Sequence, residues 1–143
     1  MSLTPLQIQC VQSTFEQVAP IAEQAAQLFY GRLFEIAPEV KPLFQTSDMK
    51  EQGKKLMDTL AVVARGLNRL DALMPAVTKL GARHQAYGVR DEHYAPVGQA
   101  LLWTLEQGLG SAFTPEVKQA WAEAYAALAS AMKAASRGER GAA

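Results

Sequence analysis

Most of the metal and acid–base chemistry open to this chain rests on its two histidines, His84 and His93. Val77, Leu80 and Gly81 precede His84 by seven, four and three residues, so on a helix they share its face. A neutral imidazole so placed suits iron. A hydrogen bond from its second nitrogen, to a backbone carbonyl one turn back near Leu80, would fix tautomer and ring orientation. By residue type alone, a satisfied core histidine is the commoner outcome. His93 follows the charged run Arg90-Asp91-Glu92 and reads as a capping or surface residue.

Other chemistries fall away. Cys10 is the single cysteine, so neither an internal disulfide nor a multi-thiolate zinc site can form. Carboxylate-bridged di-iron bundles need Glu-x-x-His pairs, and the residues three before the histidines are Gly81 and Arg90. There is no Gly-x-Ser-x-Gly elbow, and Gly108-Leu109-Gly110 lacks the strand a dinucleotide fingerprint requires. Ser111 and Cys10 have no readable base partner, which disfavours a nucleophile triad.

The elements that must position the histidines read as helices almost throughout. Thr4-Pro5-Leu6-Gln7 offers a cap, a proline at the first helical position and a capping-box glutamine. Leu6, Val11 and Phe15 are expected to point inward from that helix. Pro20 opens a second helix with Ile21, Ala25, Leu28, Phe29, Leu33 and Ile36 on its apolar side. Pro38 and Pro42 bracket a stretch too short and proline-bound for a long helix. Asp48 with Glu51 starts another, followed by Leu56, Leu60, Val63 and Leu67. Asp71 can cap a segment that runs through His84 and stops at Gly88. A start near Asp91 leads to a helix ended by Gly108 and Gly110. Thr114-Pro115-Glu116 opens the last, striped by Val117, Trp121, Tyr125, Leu128 and Met132.

No segment of period two persists, so the expectation is an all-α domain of six or seven helices over residues 1–136, with 137–143 as a frayed tail. At 143 residues the chain is one domain, and its 49% apolar content is too high for disorder. Fourteen basic residues balance fourteen acidic ones, which gives no field to draw nucleic acid or an anionic membrane. The N-terminus lacks the pattern of a signal peptide, and no apolar run approaches the ~18 residues of a membrane span. A soluble, cytoplasmic protein is expected, a monomer or weak homodimer, with no room for a further reductase domain.

The ordered set Phe29-Tyr30, then Pro38-Glu39-Val40-Lys41-Pro42-Leu43-Phe44, then Gln52 and Leu56, then His84, resembles the globin family. Ala82-Arg83-His84-Gln85-Ala86-Tyr87-Gly88-Val89 and His93-Tyr94-Ala95-Pro96-Val97-Gly98 look like the bacterial single-domain haemoglobins related to the globin half of flavohaemoglobins. There is a finer likeness to the Hell's Gate type of globin. The resemblance runs from residue 4 to about 135.

It implies a globin fold around haem b, with His84 as the iron ligand. Tyr30 and Gln52 match the distal tyrosine and glutamine, donors to a bound diatomic gas. Phe44 matches the family's haem-face phenylalanine. Leu56, Val89 and Val97 match apolar wall positions that would be core in any helical protein. Lys55 and Arg83 are candidates to pair with the haem propionates, with solvated charge as the alternative. Tyr94 matches a tyrosine that, with a glutamate, makes the proximal imidazole more anionic in flavohaemoglobins. An ungapped alignment from Trp121 puts Ser136 in the glutamate's place, which weakens that electron push. The function implied is reversible binding of O2, CO and NO. The alternative is a nitric oxide dioxygenase served by an external reductase.

Overall fold

The computed structural model describes residues 3–44, 48–86 and 91–136; the side chains of residues 70, 71, 82, 84–86, 91, 135 and 136 are outside that description. Six α-helices account for most of it: α1 Pro5–Val18, α2 Ala22–Ile36, α3 Met49–Arg65, α4 Leu70–Ala86, α5 Tyr94–Leu109 and α6 Pro115–Ser136. Short 3-10 segments join them, and among the described residues there is no strand. The all-α expectation is met.

The helices start where local chemistry says they should. Thr4 Oγ1 accepts from the Gln7 backbone N–H at 3.1 Å, and Gln7 Oε1 accepts from that of Thr4 at 3.0 Å. Together they satisfy two N–H groups that a helix start leaves orphaned. Asp48 Oδ1 takes the Lys50 and Glu51 N–H groups at 3.0 and 3.4 Å. Thr114 Oγ1 takes that of Val117 at 3.2 Å. Gly110 ends α5 with φ +57°, which only glycine adopts without strain, and its N–H reaches the Glu106 carbonyl.

Four expectations fail, each for a geometric reason. Leu6 is 78% exposed and Leu28 37%, although both were assigned to apolar faces. Leu6 lies five residues before buried Val11, and Leu28 five before buried Leu33. Five residues rotate a side chain about 140° round a helix, off the face it was assigned to. Gly108 does not stop α5; it sits inside the helix near Ile21 and Val18. Asp71 is not the cap of α4, because Leu67–Arg69 feeds directly into a helix that begins at Leu70. Gly88, Val89 and the tail 137–143 lie outside the described residues.

Packing then sets the site's walls. α2 lies on α5 and α3, and α1 on α6. α2 and α3 approach closely at Gly53, where a Cβ would come within 2.8 Å of the Ala26 Cβ. Among the long helices α4 packs on α6, while α3 and α4, though consecutive, barely touch. The core is accordingly in two parts. A large cluster joins α1, α2, α3, α5 and α6, and a small one holds Val77, Tyr94, Ala129 and Met132. No described helix is long and apolar enough to cross a membrane.

One buried polar chain clamps the first helix to the last. Trp121 Nε1 donates to Thr14 Oγ1 at 2.8 Å, and that hydroxyl donates on to the Cys10 carbonyl at 2.6 Å. Thr14→Val keeps the shape but strands the indole N–H, so it is expected to lower unfolding stability by about 1–3 kcal/mol in urea titrations. An unchanged midpoint would show that the indole finds another acceptor.

Candidate functional site

Tyr30 is the polar centre of the large cluster. It projects from the buried side of α2 and is 8% exposed. The Pro38–Phe44 segment turns the chain back so that the Phe44 ring meets the Tyr30 ring edge-on, with centroids 5.4 Å apart. Phe34, one turn beyond Tyr30, closes the group at 6.1 Å from Tyr30 and 5.6 Å from Phe44. Such edge and tilted contacts hold an aromatic ring in one orientation.

Gln52 comes from the first turns of α3, just after the Asp48 cap, close enough to the Tyr30 hydroxyl to favour its ionised form. Burial pushes the Tyr30 phenol above its ordinary range, and Gln52 opposes that only in part. The phenol is therefore protonated at neutral pH, a donor rather than an anion. A Gln52 amide that donates to the phenol oxygen stabilises the ionised form, which matches the direction of its effect, and leaves the phenol proton to point at another acceptor. Leu56 follows one turn after Gln52, half-buried against the large cluster. It also borders a small apolar void shared with Phe29, Leu60 and Leu101.

Helix α4 carries His84 in the turn after Leu80, which packs on the small cluster. The His84 side chain is outside the description. Val97 on α5 is half-buried against the large cluster, and Tyr94 belongs to the small one. Lys55 and Arg83 are both solvent-exposed. His93 ends the Asp91–His93 turn half-buried and takes the N-cap position of α5 without a side-chain capping bond. Ser136 is the last residue of α6; its side chain is outside the description.

Sequence reasoning missed Phe34, whose signal was its i+4 spacing from Tyr30, and it missed how Tyr94 is held. The Tyr125 hydroxyl donates to the Tyr94 carbonyl at 2.7 Å. Gly98 makes this possible: a Cβ there would lie 2.8 Å from the Tyr125 ring. Gly98→Ala is expected to destabilise the fold by about 1–3 kcal/mol, as overpacking does, measured by thermal unfolding. Equal stability would mean that the ring moves aside freely.

The globin family model matches residues 27–132, most of the described chain. This chain belongs to the globin family. The globin is 32% identical over 126 residues to a flavohemoprotein of Bacillus subtilis, covering 87% of this chain and 32% of that protein. It is 34% identical over 129 residues to one of Vibrio cholerae, covering 89% of this chain and 33% of that protein. The chain thus spans about a third of the length of these relatives. A bacterial globin structure from Campylobacter jejuni superposes with a TM-score of 0.85 at 27% identity, covering 96% of this chain and 99% of that one.

Membership of this family, beside flavohemoprotein relatives, implies haem as the cofactor. The structure fits such a group. Helices α3 and α4 make few contacts with each other, and Leu43, Phe44, Leu56 and Val97 pack on the large cluster yet stay half-exposed. A flat apolar ring would cover that surface, and among the described residues there Tyr30 and Gln52 offer polar groups.

Proposed function

We propose that this globin binds haem b through His84 and takes up oxygen, and also CO and NO, reversibly on the side of Tyr30 and Gln52. Haem would supply an iron with one axial position for a protein imidazole and one for a diatomic gas. Tyr30 offers its phenol proton to the polarised ligand, and Gln52 orients the phenol or adds a second donor. The observation that carries this reading is Tyr30 itself: a buried, protonated hydroxyl near Gln52, met edge-on by Phe44. A core that needed only bulk would hold phenylalanine there.

Phe44, Leu56 and Val97 would form the apolar wall that keeps water from the ligand and holds the ring plane, a role the family resemblance gives to Val89 as well. Lys55 and Arg83, both exposed, pair with the propionates at the rim. Such rim pairs are weak in water, so each orients the ring more than it holds it. Tyr94 braces the His84 side. The single thiol, Cys10, suits a reducing compartment, the cytoplasm.

Absorption spectra of the purified protein in ferric, ferrous, carbonyl and oxygenated forms test the proposal. A Soret band that shifts on adding CO or oxygen is the expected result. A folded, colourless protein from haem-replete cells would overturn it.

A further inference from the structure

Phe34 has no part in the roles above, yet it touches both rings that matter there. Tyr30, Phe34 and Phe44 form a closed triangle. Their centroids lie 6.1 Å apart for Tyr30 and Phe34, 5.6 Å for Phe34 and Phe44, and 5.4 Å for Tyr30 and Phe44. All three spacings fall in the range of an attractive aromatic pair. Tyr30 and Phe34 stand one turn apart on α2, whereas Phe44 ends the separate Pro38–Phe44 segment. Phe34 therefore ties the helix-borne phenol to the segment that crosses it, and neither neighbouring ring can tilt without disturbing two contacts.

The phenol's direction matters because a hydrogen bond weakens steeply once its angle falls below about 120°. Phe29 and Tyr30 are 4% and 8% exposed, while Phe34 is only half-buried at the cluster's edge. Truncating Phe34 thus opens a groove toward solvent instead of a sealed void, and the cavity cost is small.

We propose that Phe34 is a positioning residue that sets ligand discrimination: by bridging Tyr30 and Phe44 it keeps the phenol aligned on bound oxygen, and so raises the preference for oxygen over carbon monoxide. The inference rests on the reading of Tyr30 as the donor to an iron-bound gas. It requires contact of Phe34 with Tyr30 and Phe44 alone.

Oxygen and CO release from four haem-loaded full chains test this: the parent, Phe34→Leu, Tyr30→Phe and the double variant. Phe34→Leu is expected to speed oxygen release about two- to tenfold, the worth of one aromatic contact, and CO release by less than about twofold. In the Tyr30→Phe background the same change should leave oxygen release within about twofold, because no hydroxyl remains to misalign. Phe34→Tyr keeps the ring and should match the parent, and Phe34→Met replaces Phe34→Leu should the latter fold poorly. NMR of tyrosine-labelled protein, with Tyr30 identified by its loss in Tyr30→Phe, should show faster flipping of that ring in Phe34→Leu. Unchanged oxygen release or ring flipping in Phe34→Leu overturns the proposal. So does an equal acceleration in the Tyr30→Phe background, or of CO, which would make Phe34 a general pocket wall. If Tyr30→Phe itself releases oxygen at the parent's rate, the donor reading of Tyr30 fails, and this inference with it.

Discussion

Tyr30→Phe is expected to speed oxygen release roughly ten- to a hundredfold. The phenylalanine ring keeps the edge contacts to Phe44 and Phe34, so the pocket's shape survives and only the hydroxyl is lost. A hydrogen bond to a charged or strongly polarised acceptor is worth about 1.5–3 kcal/mol, and each 1.4 kcal/mol is a factor of ten. The effect falls on release because the bond forms only after the ligand has arrived. Carbon monoxide is polarised far less, so its release should change by much less than tenfold, which guards against a general loosening of the pocket. Stopped-flow displacement of oxygen by CO gives the first rate, and displacement of bound CO by NO gives the second. Equal rates in parent and variant would remove Tyr30 from the proposed role. Gln52→Ala should give a smaller change in the same direction, since Gln52 acts partly through the nearby phenol.

His84→Ala is expected to abolish ordinary haem ligation, seen as loss of the Soret band of the native complex or as weak, heterogeneous binding, while His93→Ala keeps a normal spectrum. The two histidines differ in setting. His84 follows Leu80 by one turn on α4, the helix that packs mainly on α6 and contributes Val77, Leu73 and Leu80 to the small cluster. His93 closes the Asp91–His93 turn that feeds α5, a helix packed mainly on α2. An imidazole–iron bond is the main directional contact the protein makes to the group, whereas apolar walls hold a ring without selecting its axial chemistry. Added imidazole should restore haem ligation to His84→Ala, because it supplies the donor nitrogen that the substitution removes. The reverse pattern, with His93→Ala colourless and His84→Ala normal, would relocate the site.

Some of this molecule is written locally in its sequence. Thr4, Asp48, Thr114 and Gly110 punctuate helices through bonds that span two to four residues, so their types and spacing suffice to place four helix ends. The ordered appearance of Tyr30, Phe44, Gln52 and His84 was legible too, as a resemblance. Helical faces were legible only in part. Leu6 and Leu28 are apolar, and nothing local says which side of a helix a neighbour will cover.

Tertiary structure decided the rest. Tyr30 and Gln52 meet because a glycine at position 53 lets α3 close on Ala26 of α2, a contact between residues 27 positions apart in sequence. The Tyr94 assembly needs α6 to lie across the start of α5, so that Tyr125 passes over Gly98 and Lys133 reaches the ring. No periodicity announces such contacts, because they depend on how two separately amphipathic helices cross. The sequence therefore determined the helices, the family and the two histidines worth testing. The crossing of those helices decided which side chains meet: Tyr30 with Phe44, Trp121 with Thr14, and Tyr125 with the Tyr94 carbonyl.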